Sequence, residues 1–419
     1  MINDSVRIIT VIFLTTLPYL TIANEDSTTS LEHQRYIYSV YTADNFDDGG
    51  PISRHVWKNF PAFYGHTTIA HTGPERPLPQ NARVDVADFK LTLSTGNTTL
   101  ANYIETNPYV DGMIVLHGGD IVFEAYPNMQ PHDRHIGWSV TKVVTSSALA
   151  VLERQGLVDM DSLVENYVPS LSDSHWSGTS VRDIANMASG MDCLDSDGYQ
   201  NTESCVYRLE ESLDMLARHN PRVDNLTHMR SIKRKRPAGE INEYVSANTH
   251  VLGLIIENVS EMPLAEALKN LIWDRIGAEA DGMMVTSLEG ISAPHGGLSA
   301  RLRDIARFGQ IHTPGANLDV VGSDHFADLR SNNGIRFSDA QLQSLSETLG
   351  DELPTNAAWQ WDLVWADGVR FKSGYSGQGL FVDPNNDVVI AFFGTAGENN
   401  EEHELTAISH QLIRSDLFD

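Results

Sequence analysis

The sequence predicts an α/β (α+β) fold in which an antiparallel sheet flanked by helices carries an inserted, mainly helical lobe. Three observations predict it. The stretch "DGMIVLHGGDIVFEAY" holds two β-rich runs around Gly118-Gly119-Asp120, a hairpin signal. Near the other end, "GVRFKSGYSG" and "GLFVDPNNDVVIAFFGTAG" read as further antiparallel strands, the last two joined across 384–387. Between them, from about 155 to 290, stretches such as "RLEESLDMLARHN", "THVLGLIIENVSE" and "PLAEALKNLIWDRIG" repeat their apolar residues at helical spacing.

At 419 residues the chain is too long for one small core, so two subdomains, or one domain with a lobe, are expected. The formal charge of −27 argues against sequence-independent binding to nucleic acid or to an anionic membrane surface, which needs basic patches. The expected partner is a small-molecule ester, amide or peptide substrate.

Taken in order, the chain opens with one Arg before an apolar core from Ile8 to about Leu20, then Thr-Ile-Ala and a polar, acidic stretch. That is signal-peptide patterning, with cleavage expected after Ala23 and a secreted or periplasmic product. The apolar run is short for the roughly 20 residues of a spanning helix, and Pro18 interrupts it, so no stable membrane span is expected after cleavage. Residues 24–95 read as an irregular extension packed on the body; 96–154 and 291–419 as the sheet domain; 155–290 as the helical lobe. Within the sheet domain, "SVTKVVTSSALAVLERQG" is apolar nearly all round and predicts a buried helix. In the lobe, Gly190 and Gly277 are expected helix stops. "HGGLSARLRDIARFGQI" reads as another amphipathic helix, and a last one starts near Glu402.

An exported chain changes the reading of its two cysteines. Cys193 and Cys205 sit twelve apart in a polar loop, and a local disulfide is the leading expectation over two free thiols. Neither has the company a nucleophilic cysteine needs, and no metal-ligand spacing is found, so neither metal nor cofactor is expected.

The chemistry starts at Ser139 and Lys142. Residues three apart on a helix share a face, so Ser139 Oγ and Lys142 Nζ can meet. A lysine ammonium cannot take a proton from serine, but burial favours the neutral amine, and the apolar helix supplies that burial. The helix N-terminus presents backbone N–H groups to an oxyanion at Ser139. Two further stretches share this character. In "PAGEINEYVSANTHVLGLIIE", Tyr244, Ser246 and Asn248 precede an apolar helix, Ser246 and Asn248 being equally good helix caps. In "RFKSGYSGQG", Lys372, Ser373 and Gly374 occupy a strand whose glycines let a substrate approach the backbone.

The ordered set Ser-Val-Thr-Lys, Tyr-Val-Ser and Lys-Ser-Gly, in context over roughly 110 to 400, resembles the serine β-lactamase and penicillin-binding superfamily, and within it the class C-like esterases, D-amino-acid peptidases and aminohexanoate-oligomer hydrolases. The resemblance implies Ser139 as acylated nucleophile and Lys142 as its proton acceptor. Tyr244 would shuttle a proton to the leaving group and later activate water. Lys372 would bias Tyr244 toward tyrosinate and help hold an anionic or polar group. The backbone N–H groups of Ser139 and Tyr375 would form the oxyanion hole, and Ser246, Asn248, Ser373 and Gly374 would bind substrate. Ser246 stands where a class C β-lactamase has Asn, and no class A deacylation stretch is found. The expectation is therefore an esterase or amidase, with a β-lactamase or D-Ala-D-Ala peptidase, or a slowly acylating cell-wall sensor, as alternatives.

Other features read more plainly. His135 lines the cleft entrance or caps its loop, the basic run 233–236 is a solvated turn, and Trp138 lines the acyl pocket or packs. "GWSVT" with His295-Gly296-Gly297 imitates an α/β-hydrolase elbow and oxyanion loop, but in the wrong order and without the final glycine.

Overall fold

The computed structural model describes residues 22–23, 30–93, 96–315, 318–331, 335 and 337–418. The apolar core of the expected signal peptide lies outside them. The strands in chain order are β1 (Ile22–Ala23), β2 (His66–Ile69), β3 (Lys90–Leu93), β4 (Gly96–Thr99), β5 (Val110–His117), β6 (Asp120–Tyr126), β7 (Arg134–Ile136), β8 (Gly282–Val285), β9 (Leu298–Arg301), β10 (Asn356–Ala358), β11 (Trp361–Val364), β12 (Arg370–Gly374), β13 (Gln378–Asp383) and β14 (Val388–Gly394).

Eight of them form the main sheet in the order β1-β6-β5-β14-β13-β12-β11-β10, antiparallel except for the β1–β6 pair. The alternation of side chains along a strand splits the interior into two cores. Along β14, Val389, Ala391 and Phe393 face the core around the helix Thr141–Arg154, while Val388, Ile390 and Phe392 face the core under the C-terminal helix Leu405–Ile413. Every residue of the first of these helices from Thr141 to Leu152 is buried, as its apolar pattern requires.

The β5–β6 hairpin turns at Gly118-Gly119, both at positive φ, and the β13–β14 connection spans 384–387 as the sequence indicates. Gly277 ends its helix in the left-handed conformation at φ 62°, where a Cβ would also meet Arg76.

The mainly helical stretch 155–290 also holds β8, which joins a second antiparallel sheet of order β2-β8-β9-β7, and two expectations need adjustment. The stretch read as one amphipathic helix at 295–311 begins as β9 and turns helical only at Leu302–Gly309, since Leu298 and Ser299 pair with β8 and Ser299 to Arg301 pair with β7. The extension contributes β2 to that sheet, so it is built into the body and not merely laid over it. Among the described residues no helix is long and apolar enough to cross a membrane.

Candidate active site

The turn before the buried helix is strained. Trp138 holds φ 46°, a left-handed conformation that costs a side-chain-bearing residue roughly 1 kcal/mol or more. Packing over-determines it: the indole makes edge contacts with Trp57, Phe60 and Tyr375. The Gly137 N–H donates to the Leu298 carbonyl across 2.7 Å, tying the turn to β9. A Cβ on Gly374 would come within 2.7 Å of the Gly137 carbonyl oxygen, so only glycine lets the end of β12 close against this turn. These contacts set Ser139 in the short helical turn Trp138–Val140, directly ahead of the long helix.

Lys142 Nζ lies 2.9 Å from Ser139 Oγ and 2.8 Å from the His295 carbonyl oxygen. The lysine side chain is buried and its pKa is pushed down to about 8, first by burial, then by the neighbouring Lys372 cation, against the raising influence of Asp195, Glu210 and Asp362. The loop that imitates an oxyanion loop therefore serves through its His295 carbonyl as a hydrogen-bond acceptor for Lys142.

A second lysine–hydroxyl pair faces the first. Lys372 Nζ lies 2.9 Å from the Tyr244 hydroxyl and 2.6 Å from Asp362 Oδ1. Both amines sit over the Tyr244 ring, at 5.0 Å for Lys142 and 4.7 Å for Lys372 from its centroid. Burial, then the charges of Asp362 and Asp195, raise the Tyr244 phenol's pKa, and its contact with Ser139 lowers it. Lys372 spends two of its three N–H groups on Tyr244 and Asp362.

Asp362 and Asp195 carry no motif, and sequence reasoning missed both. Asp362 Oδ2 accepts from the Ser373 N–H at 2.8 Å and from its hydroxyl at 2.5 Å. Asp195 accepts from the Ser246 N–H at 2.7 Å, the Ser246 hydroxyl at 2.6 Å and the Tyr199 hydroxyl at 2.6 Å. Ser246 opens the helix Ser246–Ser260, so Asp195 satisfies a free N–H at a helix start where its negative charge is favoured. The one available signal for Asp362 was its place on a strand adjacent to Lys-Ser-Gly.

Ser139, Lys142, Tyr244, Ser246, Ser373, Gly374 and Tyr375 line a single cavity of about 360 Å³. Phe46 and Asp47 of the extension line it as well, and Tyr375 donates its hydroxyl to the Asp47 carbonyl across 3.2 Å. Asp47, Asp195 and Glu210 make the lining acidic. The Asp47 carboxyl is raised to about 6 by burial and then by Asp48 and Glu210. Glu210 Oε1 lies 2.8 Å from His295 Nε2.

Some expected residues lie elsewhere. Asn248 is buried behind the cavity, its amide donating toward the Met187 sulfur, because it follows Ser246 into the helix interior. His135 is buried in β7, stacked on Phe393 at 4.7 Å with Nε2 3.3 Å from Asp111, and neither lines the cleft nor caps its loop. In the basic run 233–236, Lys233 and Lys235 are exposed, as a solvated turn requires, while Lys235 and Arg236 pair with Glu243 and Arg234 reaches the His175 carbonyl and the Thr179 hydroxyl. Cys193 and Cys205 form a disulfide with Cα atoms 4.9 Å apart. Its loop carries Asp195 and Tyr199. His228 stands beside this bridge, and with both thiols consumed the trio offers no metal-binding set.

The Beta-lactamase family profile matches residues 110–414. The chain belongs to this family. A 6-aminohexanoate-dimer hydrolase from Paenarthrobacter ureafaciens is 26% identical over 376 residues, covering 86% of this chain and 90% of the relative. Among solved structures, a Bacillus anthracis protein described as a candidate 6-aminohexanoate-dimer hydrolase superposes with a TM-score of 0.75 at 21% identity, over 90% of this chain and 96% of its own. EstCE1, a hydrolase with promiscuous acyltransferase activity, gives 0.58 at 13% identity over 73% of this chain and 94% of its own. This β-lactamase family member has the mixed antiparallel-sheet and helix architecture of its neighbours and is a serine hydrolase.

Proposed function

We propose that the protein is exported and cleaves an amide or ester through an acyl-enzyme on Ser139. The observation that carries this reading is the Ser139–Lys142 contact inside a buried site that pushes the amine's pKa down to about 8, within reach of the neutral form. In acylation, Ser139 Oγ bonds to the substrate carbonyl carbon and gives its proton to Lys142 Nζ. Tyr244 donates its phenol proton to the departing nitrogen or oxygen, and the proton that Lys142 took from Ser139 restores the phenol, so that Lys372 stays an ammonium throughout. Water then adds to the acyl carbon, Ser139 Oγ departs and regains a proton, and a carboxylic acid is released. Backbone N–H groups at Ser139 and Tyr375 hold the developing oxyanion, and Ser246, Ser373 and Gly374 border the bound substrate.

Asp47, Asp195 and Glu210 around the cavity favour acyl groups that are neutral or carry an amine, over anionic ones. The relative named for a 6-aminohexanoate dimer, an amide, agrees with that preference. Carboxylate-bearing β-lactams are poorer candidates, since Lys372 is engaged by Asp362. Export is supported by the N-terminal patterning and by the Cys193–Cys205 disulfide.

The test is a panel of p-nitrophenyl acetate and butyrate, nitrocefin, a D-Ala-D-Ala peptide and a linear aminohexanoate dimer, run on the protein and Ser139→Ala. Turnover of linear esters or amides that vanishes in Ser139→Ala is expected. Full activity in the variant would sink the reading, fast nitrocefin turnover would make the protein a β-lactamase, and a stable penicillin adduct without turnover would make it a sensor.

A further inference from the structure

The loop from β12 to β13 has three residues, Tyr375, Ser376 and Gly377, and two of them stand at positive φ, 58° for Ser376 and 96° for Gly377. A residue with a side chain keeps such a conformation only where its surroundings impose it. Here they act on the carbonyl groups. Gln378, the first residue of β13, is buried, and its amide Nε2 donates to the Tyr375 carbonyl at 3.1 Å and to the Gly394 carbonyl at 2.7 Å, with the Ser376 carbonyl 3.4 Å away. Its Oε1 accepts the Gly394 N–H at 3.1 Å. Turned over, the amide would set its oxygen against three carbonyl oxygens, so it can sit only this way round. The Gly377 carbonyl accepts from His403 Nε2 at 2.9 Å, and the Leu405 N–H donates to His403 Nδ1 at 3.2 Å, which fixes the ring proton on Nε2. All three loop carbonyls thus face buried donors, while the Tyr375 N–H meets no acceptor among the described residues. Gly374 and Tyr375 line the cavity that holds Ser139, and Gly374 abuts the Gly137 carbonyl just ahead of the serine.

We propose that Gln378 is the positioning residue of the oxyanion hole. It does not touch the substrate and acts through Tyr375. The inference rests on the acyl-enzyme reading, in which the Tyr375 and Ser139 N–H groups hold the oxyanion. On one side of the Tyr375 N–H, Gly374 is fixed by its pairing with Gln378 across the sheet. On the other, the Tyr375 carbonyl is fixed by the Gln378 side chain. The N–H between them is left one direction. A donor aimed before the reaction needs no reorganisation when charge develops. Without the amide, the Tyr375 and Ser376 carbonyls lose their donor, the loop can rotate its peptide units, and the N–H no longer meets the tetrahedral intermediate.

The experiment compares the panel's fastest linear substrate, ester or amide, with its thiono counterpart, in which sulfur replaces the carbonyl oxygen. Sulfur is the larger atom and the weaker hydrogen-bond acceptor, so the thiono substrate draws little from the hole. Gln378→Met keeps the length of the side chain and removes its donors and its acceptor. For the oxygen substrate, kcat is expected to fall roughly 10²-fold with KM little changed, and the oxygen-to-sulfur ratio of kcat/KM to fall about tenfold or more. The acid limb set by Lys142 stays where it is. Where Gln378→Met does not fold, the same ratio is read in Gln378→Glu, which has the shape of glutamine, retains the acceptor for Gly394 and sets an oxygen against the loop carbonyls. Equal losses on both substrates would make Gln378 a support of the fold alone, and an unchanged kcat would mean that the loop aims itself. Either result overturns the proposal and leaves the hydrolase intact. Turnover that survives Ser139→Ala removes the acyl-enzyme reading, and with it the oxyanion that Gln378 would serve.

Discussion

Lys372 Nζ and Asp362 Oδ1 stand 2.6 Å apart beneath the Tyr244 hydroxyl, and this ion pair divides the labour of two buried lysines. Burial lowers the Lys372 pKa, and the Asp362 carboxylate in contact opposes that lowering. Lys142 contacts a serine hydroxyl, a backbone carbonyl and the Tyr244 ring, with no carboxylate within hydrogen-bond distance, and is pushed down to about 8. One lysine is thus suited to remain an ammonium and the other to act as base, which is the separation a single-proton relay needs.

Replacing Asp362 by Asn tests that division. The contact that favours the charged form of Lys372 is removed, so Lys372 loses its proton at lower pH. The alkaline limb of kcat/KM is expected to move to lower pH, and kcat to fall by on the order of tenfold or more, as for loss of an acid–base group's support. A uniform loss at every pH, with both limbs unmoved, would show that Asp362 only shapes the strand.

The acid limb belongs to Lys142. Because the neutral amine is the active form, kcat/KM is expected to climb with pH and level off above an apparent pKa of about 8. Lys142→Ala should cost roughly 10²- to 10⁴-fold. Lys142→Arg keeps the charge but cannot deprotonate in this range, so it should be as inactive as the alanine variant. A rate profile flat from pH 6 to 9, or an active arginine variant, rules Lys142 out as the base.

How much of this was legible beforehand follows from the range of the forces involved. The buried helix, the β5–β6 and β13–β14 hairpins and the Ser139–Lys142 pair rest on local spacing, which a sequence displays directly. Asp362 and Asp195 act across ten and more residues of chain, and nothing local marks one aspartate among the many in this acidic protein. β8 and β9 read as lobe and helix because their strand character comes from pairing with β2 and β7, a tertiary contact that overrides local pattern. Asn248 looked like a site residue because polarity near Tyr244 was visible and the direction in which a helix turns it was not.

The Cys193–Cys205 bridge closes the loop that carries Asp195 and Tyr199 to the cavity. By loop entropy a cross-link over this span contributes on the order of 3 kcal/mol. The double replacement Cys193→Ser and Cys205→Ser should lower the melting temperature by several degrees. It should also raise KM several-fold, as the Asp195 anchor on Ser246 loosens. Loss of stability with KM unchanged would separate the bridge from the site.

Stability should also fall on acidification, and the sign follows from which groups resist or accept protons when buried. Burial depresses His250 and His325 to about 3 and His228, His403 and His410 to about 4, with His312 lower than its usual range as well. Below about 6.5 the unfolded chain therefore takes up protons at these six positions while the folded chain does not, so their contribution is present above that pH and is lost as pH falls toward 4. Asp47 and Asp304, raised to about 6, and Glu153, raised to about 7, work in the opposite sense, binding protons in the folded state first. Glu257 and Glu402 are raised by burial too, but with His55 also lowered, seven histidines outnumber these five carboxyls, so thermal melts are expected to drop steadily between about pH 6.5 and 4. His325 is the position to change, because neither of its ring nitrogens has a hydrogen-bond partner among the described residues, and its ring packs against Trp359 and His312. His325→Leu should flatten the melting-temperature slope over that pH range without loss of stability at pH 7, since an unpartnered buried polar group is replaced by an apolar one. A slope identical to that of the unaltered protein would mean that the acid sensitivity is set elsewhere.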